Sequence, residues 1–474
     1  MKKLMTLSIA LLMLCGLFSG CSVSTESTAR GVETPAQASQ TENEESLDQS
    51  VQASAEDRKT ISMWFWGANE NQKAAFQAAL IDVYNSSQNE YELVIEYRNT
   101  VDNDIPVALS ASSGPDIIYT SGPSFCNVYV TEDKLVDLTP YAEQYGWKDR
   151  LLQVYYDACT VDGKLYSVPN SISVGGIFYN KALFQENNWQ VPSTLTEMID
   201  IMEEAKSMGL YGGSGGNRGW RPSNDNFSSV MINHFVSPTN LYECLSGNQP
   251  FSNPEMLAGV QMMQDWYKAG YLAGNDYTAL DSQEAVQLIA DKRAAFLMAP
   301  TLYIQFAANS FTDNKIDEFG FAPMPNLYAP DKDVYDLTMP CSFAVNTSSK
   351  APDECAKILD IMLSAEFCTT MTEYWPGYWA VPLKDMSGVD DSNMAGMSIK
   401  FMEIIKEAVP QINAGNFGYH PSAFFPPVTQ DEWRNVDSVW QGVMTPEEFL
   451  NAVDKAFAEE LEAGLVAPLA KPAV

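Results

Sequence analysis

Residues 61–97, ISMWFWGANENQKAAFQAALIDVYNSSQNEYELVIEY, decide the fold class of this chain. Residues 61–65 are a short apolar run that reads as a strand, and 91–97 form a second. Between them, roughly 71–85 carries the longer pattern of a helix. Strand, helix and strand in that order are the unit of α/β architecture. The alternation continues, with 116–119 reading as a third strand. Over 194–208, Leu195, Ile199, Met202 and Ala205 fall at helical spacings of three and four, just after the start signal Pro192-Ser193. Further helices are expected near 254–269, 353–363 and 446–462. No internal repeat or second linker interrupts the body, so any two lobes share one interwoven chain.

Length requires two lobes. The chain has 474 residues, and single cores stop growing at about 250–300. Hydrophobic residues make up 46% and charged residues 19%, which describes a mostly folded chain. Lys and Arg number 28 against 61 Asp and Glu, a formal charge of −33. That balance excludes a nucleic-acid partner, which needs a basic face, and electrostatic docking on anionic lipid. Solubility explains such acidity as well as any function does.

The N-terminus is an export signal. Lys2 and Lys3 precede an apolar run over 4–18 and then Ser19-Gly20-Cys21. About 15 apolar residues suit a secretory signal, whereas a spanning helix needs about 20. Small residues before Cys21 resemble the bacterial lipobox, in which that cysteine is lipidated and becomes the new N-terminus; Phe18 departs from the aliphatic residue usual there. Cleavage would remove two lysines and no acid, taking the charge from −33 to −35. Residues 22–58 are mostly Ser, Thr, Glu, Gln and Ala, with one Pro and no aromatic, a composition that cannot bury enough surface to fold. They read as a tether between membrane and body. Cys126, Cys159, Cys244, Cys341, Cys355 and Cys368 are scattered without CxxC or metal-ligand spacing. They are expected to be mostly free, buried thiols.

Six landmarks then follow in order: 61–67 (ISMWFWG), 110–119 (SASSGPDIIY), 135–141 (LVDLTPY), 162–181 (DGKLYSVPNSISVGGIFYNK), 343–363 (FAVNTSSKAPDECAKILDIML) and 376–382 (PGYWAVP), the last ahead of a helical region with Thr445-Pro446-Glu447-Glu448. Together they resemble extracellular solute-binding proteins of family 1, the carbohydrate-binding lipoproteins of ABC importers, similar in fold to maltose-binding protein. The DGKLY…P and YNK elements are the most specific.

This resemblance implies a two-lobed α/β fold of the periplasmic-binding-protein type II. One lobe would comprise about 59–171 plus 343–376, the other about 174–338 plus 380–470, with crossings near 169–176 and 341–343. The ligand would lie in the interlobe cleft, and hinge closure would present it to the permease. The expected function is capture of a sugar or oligosaccharide by a monomeric, non-enzymatic receptor without cofactor. Its lipid on Cys21 would hold it at the outer or periplasmic face of the cell membrane. The chain has no GxxxxGK[ST] loop, so the importer's ATPase would be a separate polypeptide.

Sugars present apolar C–H faces and a rim of hydroxyls, so their sites pair flat rings with amide, carboxylate and hydroxyl groups. The chain offers 10 Trp, 22 Tyr and 22 Phe, and each candidate needs a positional reason. Trp64, Phe65 and Trp66 are consecutive in a strand and must alternate faces. The resemblance ends this strand at the cleft, which favours Trp66 for stacking, with Asn69 and Glu70 as hydroxyl partners. Glu70 reads equally well as the acid of a helix N-terminus. The resemblance also points Thr120 and Ser121 at solute, and places Ser173 where some relatives carry a ligand-binding carboxylate. Asp116 is expected to bond its own loop backbone. Trp220 lies in the turn-rich stretch 212–227 (GGSGGNRGWRPSNDNF), where a large ring has no obvious core to join; Asn224 and Asn226 are secondary candidates there. Tyr303 follows Ala299-Pro300, where the family places an aromatic. Trp375, Tyr378 and Trp379 crowd one Pro/Gly-bounded turn and suggest a rim on which at least one ring stacks. Trp433 and the Phe424-Phe425 pair divide between core and cleft.

Other functions find less support. Residues 212–216 satisfy G-x-S-x-G around Ser214, but a nucleophile elbow needs a preceding strand and a following helix. Here a helix is expected before it and a loop after, and only His234 and His420 could serve as base. A surface glycosidase needs two carboxylates at a set separation, and none of 61 acids singles itself out. No HExxH or His/Cys cluster marks a metal enzyme. Asp390-Asp391-Ser392-Asn393 lacks EF-hand spacing and reads as a solvated loop. Among binding proteins the alternative ligand is a cation such as a polyamine, held by a carboxylate–aromatic box.

Overall fold

The structure, a computed structural model, describes residues 58–474. The signal segment, Cys21 and all but the last residue of the expected tether lie outside the described residues. Strand Lys59–Trp66 shows the alternation that period two demands: Ile61, Met63 and Phe65 are fully buried, while Ser62, Trp64 and Trp66 face the other way. Trp64 is covered by the Arg98 guanidinium, 3.5 Å above its ring. The helix that follows runs as Glu70–Phe76, a π-helical turn Gln77–Ile81, and Asp82–Ser87.

The first sheet runs Tyr91–Arg98, Lys59–Trp66, Ile117–Thr120, Ser342–Val345, Ser167–Pro169. Its first three strands are parallel, and Ser342–Val345 lies antiparallel to both neighbours. Asp116 does not bond its own loop backbone as expected: its carboxylate accepts from Ser62 N and Oγ, both at 2.8 Å, and from Ser349 Oγ at 2.7 Å, because the neighbouring strand and the segment after Ser342–Val345 supply the donors. It thereby pins the first strand to the segment after Ser342–Val345.

The second sheet runs Phe417–Tyr419, Tyr335–Thr338, Ser173–Asn180, Ala294–Pro300, Tyr211–Ser214, with Phe319–Ala322 also paired to Ser173–Asn180. Ser173–Asn180 and Ala294–Pro300 are buried at every position, as strands covered on both faces are. The chain therefore passes between the sheets at 170–172, at 339–341 and a third time within 346–416, and this two-lobed α/β fold holds a cleft.

Helices Leu195–Ser207, Pro254–Lys268, Pro352–Met362 and Pro446–Glu462 lie where the periodicity predicts them. Thr194 and Thr445 close capping boxes with Glu197 and Glu448, each satisfying two N-terminal amides. All six body cysteines are buried and unbonded, and burial alone raises Cys341 to about 12. Ser214 ends a strand rather than an elbow. It is fully buried and donates to Ala285 O at 2.7 Å, so its hydroxyl is not exposed as an elbow serine's would be. Among the described residues, no helix is long and apolar enough to cross a membrane.

Candidate functional site

A cleft of about 870 Å³ opens between the walls raised by the two sheets. The first wall is built from strand ends and helix starts. Trp66 closes the first strand, and Thr120 and Ser121 follow the Ile117–Thr120 strand. Asp102 comes from the first turn of helix Val101–Ser110, and Phe125 and Tyr129 from helix Pro123–Thr131. The second wall carries Trp220, Asp225, Asn226, Gln305, Phe306, Ser422, Gln430 and Arg434. Tyr378, His420 and the crossing residues Thr338–Pro340 line the back.

Six of the predicted residues meet in this cleft: Trp66, Thr120, Ser121, Trp220, Asn226 and Tyr378. Trp66 packs edge-on against Trp375 and Tyr378, with centroids 5.4 and 5.5 Å away. Thr120 is buried, its hydroxyl 2.7 Å from Ser342 Oγ, so Ser121 is the more available of the two. Trp220 is 51% exposed, although its loop is fixed. Arg218 pairs with Asp281 at 2.7 Å and Glu284 at 2.9 Å, Arg221 pairs with Asp437 at 3.1 Å, and Asn217 Oδ1 accepts from Ser223 N at 3.1 Å. An exposed ring on a loop anchored at both ends is a ready stacking surface, because its ordering entropy is already spent in folding.

Seven predicted residues lie elsewhere, each for a local reason. Asn69 is a helix N-cap, its Oδ1 accepting from Gln72 N at 3.0 Å in a capping box. Glu70 takes the helix-acid alternative, exposed and paired with Lys73 at 2.8 Å. Ser173 is fully buried, 3.0 Å from Thr301 Oγ1 and accepting from Leu302 N at 3.0 Å. It ties the crossing to the segment after Ala294–Pro300 and does not line the cleft. Tyr303 points inward, its hydroxyl 3.4 Å from Ser282 Oγ. Trp379 is fully buried in the first core, against Phe65, Phe76, Phe343 and Phe367. Trp375 stacks behind Tyr378 at 5.2 Å and donates from Nε1 to Gln305 Oε1 at 3.2 Å. The expected rim of three rings is therefore an internal knot showing one ring, Tyr378, to the cleft. Gly377 permits that close approach: its φ is +94°, and a Cβ there would stand 2.7 Å from Gln305 N. Trp433 is buried and donates to Ser228 Oγ at 2.9 Å. Phe424 and Phe425 join the core, and Asn224 donates to Arg434 O at 2.6 Å.

Sequence reasoning missed the cleft's charged groups. Asp225 is buried, with Oδ2 accepting from Arg434 Nη2 at 2.6 Å and Nε at 3.2 Å, while Oδ1 takes the Ser422 hydroxyl. This two-pronged pairing neutralises the second wall. Asp102 accepts from Ser121 Oγ at 3.1 Å. Burial raises its carboxyl above the usual range, opposed by the Ser121 hydrogen bond and by Arg434 across the cleft. At the back, His420 Nδ1 lies 2.8 Å from Asp336 Oδ2. His420 Nε2 is buried with no partner among the described residues, and such a group invites a polar ligand. The one available signal was His420 itself, as one of only two histidines.

Comparison with known proteins agrees with this geometry. A chitin oligosaccharide binding protein superposes with a TM-score of 0.68 at 18% identity, over 85% of this chain and 99% of that one. The GacH receptor of Streptomyces glaucescens, solved unliganded and with acarbose, gives 0.63 at 18% identity, over 85% and 99%. Likeness at this identity establishes the fold. In sequence, the diacetylchitobiose binding protein NgcE of Streptomyces coelicolor is 30% identical over 102 residues, 20% of this chain and 22% of that protein. The osmoprotective compounds-binding protein GgtB of Synechocystis is 25% identical over 168 residues, 34% of this chain and 39% of that protein. The matched stretches thus span well under half of these relatives' own lengths. The sequence profile of the bacterial extracellular solute-binding proteins matches residues 79–393, the greater part of the chain, and the protein belongs to that family.

Proposed function

We propose that the protein captures a sugar or oligosaccharide in the cleft and delivers it to the permease of an ABC importer whose ATPase is a separate chain. The observation that carries this reading is the composition of the cleft: Trp66, Trp220 and Tyr378 supply rings for C–H faces, and Ser121, Asn226, Gln305 and Gln430 supply hydroxyl partners. The names of the similar proteins, which bind diacetylchitobiose and chitin oligosaccharides, support it. The receptor acts as a monomer without catalysis, anchored outside the cell through a lipid on Cys21. The lobes correspond to about 59–171 plus 343–376 and 174–338 plus 380–470, and close by rotation about 170–172 and 339–341. A captured solute must be released again, which suits a micromolar affinity of about −8 kcal/mol.

A thermal-shift screen against a glycan panel tests the reading, since saturating ligand raises the melting temperature. Stabilisation by at least one saccharide is the expected result. Stabilisation by polyamines or peptides with no response to any saccharide sinks it. Globomycin, which blocks lipoprotein signal processing, should trap the precursor in cells, and Cys21→Ala should abolish lipid labelling.

A further inference from the structure

The two carboxylates of the cleft are not equivalent. Asp225 is buried and fully engaged by Arg434 and Ser422. Asp102 is exposed to the cleft, and no Lys, Arg or His nitrogen among the described residues pairs with it. Its neighbour Asp104 takes Arg98 at 3.3 Å instead. Arg434, the one Lys or Arg lining the cleft, is already held by Asp225 at 2.6 Å. The cleft is thus left with an unbalanced negative charge on the first wall.

That charge sits among rings. Asp102 accepts from Ser121 Oγ at 3.1 Å, and Ser121 Oγ lies 3.3 Å from Tyr119 Oη. Tyr119, Tyr129, Tyr378 and Trp66 line the same cleft as Asp102. Ring faces attract cations, and a partly desolvated carboxylate gains more from a cation than from a hydroxyl. The facing wall offers neutral amides and the exposed ring of Trp220. His420 Nε2 at the back is buried and unpartnered, a second sign that this cavity awaits a polar ligand.

We propose that the cleft takes a sugar carrying a protonated amine, with Asp102 as the ammonium's partner on the first wall and Trp220, Asn226 and Gln305 reading the saccharide from the second. This deepens the carbohydrate reading and rests on it. An anionic sugar is disfavoured by the same unbalanced carboxylate.

Calorimetry with two β-1,4-linked trimers on one backbone decides it: the trimer of glucosamine and the trimer of N-acetylglucosamine, which differ in ammonium against acetamide. At about pH 6, below the ordinary range of an aliphatic amine, the charged trimer should bind about tenfold more tightly, as one close ion pair in a partly desolvated site permits. The advantage should shrink with added salt. Asp102→Asn should abolish it with no loss of melting temperature, and Asp102→Glu should retain part of it. Equal or weaker binding of the charged trimer, with neutral glycans still bound, overturns this inference and leaves the carbohydrate reading standing. A tenfold advantage that survives Asp102→Asn also overturns it. If neither trimer nor any glycan binds, the carbohydrate reading falls and this inference with it. Spermidine binding as tightly as the glucosamine trimer would show that charge alone is read, which removes the amino-sugar class.

Discussion

The two walls of the cleft use the same residue types for opposite purposes. Around the first, the cleft-lining rings Trp66 and Tyr378 are locked into a packed aromatic knot and the charge is available. Trp66, Trp375, Tyr378 and Trp379 interlock at centroid distances of 5.2–5.9 Å, while Asp102 has no cation. On the second, the charge is structure and the ring is available: Asp225 and Arg434 cancel at 2.6 Å, while Trp220 is half exposed on its anchored loop. The comparison teaches that neither aromaticity nor charge by itself marks a group as available to a ligand. What marks it is whether the group's best partner is already present in the protein.

Trp379→Ala should have the largest effect. It empties a fully buried site, and loss of so large a ring costs about 3–5 kcal/mol. Denaturant unfolding should show that loss, with ligand affinity little changed wherever the variant is folded. Arg434→Met comes next. It strands the buried Asp225 carboxylate, and because Arg434 keeps 28% side-chain exposure the cost should fall below that of breaking a fully buried pair, at about 2 kcal/mol. Near-wild-type stability of this variant would mean that the pair is not the neutralising device of the second wall.

Trp220→Ala sharpens the comparison from the other side. Affinity for the bound glycan should fall about tenfold, some 1.4 kcal/mol, with no loss of melting temperature, because the ring packs against no core. Unchanged calorimetric affinity would make Trp220 a bystander. The smallest effect belongs to Asp102→Asn in the ligand-free protein. An acid whose carboxyl is raised by desolvation contributes stability that is present below its ordinary value of 3.8 and lost as pH rises through its higher folded value. The neutral variant should therefore be slightly more heat-stable than wild type near neutral pH, and equal to it in acid. A variant less stable at neutral pH would contradict the desolvation argument.

How far the site could be read depended on the range of the deciding interaction. Trp66 was legible because strand alternation is local, and Trp220 because Gly and Pro around it exclude a core helix or strand. Asn69 and Glu70 lie outside the cleft, in a capping box and a Lys73 pair, and sequence could not separate these roles because a capping box and a ligand loop draw on the same residue types. Trp375 and Trp379 looked like a rim because a Pro/Gly-bounded turn usually lies outside, yet Gly377 lets this one approach Gln305. Asp225 and Arg434 are 209 residues apart, and no local pattern joins them. Asp102 was hidden among 61 acids, distinguished only by a cation it lacks.

The sequence alone determined what depends on neighbours along the chain: the α/β alternation, the capped helices, the alternating first strand, the acidic balance that excludes nucleic acid, and the landmark order of a solute-binding protein. Only the tertiary structure decided which rings face the cleft, which acid is neutralised and which cleft-lining histidine nitrogen is left without a partner among the described residues. Periodicity and capping are satisfied within one or two turns of chain, whereas desolvation and pairing are set by whichever distant segment folds against a group.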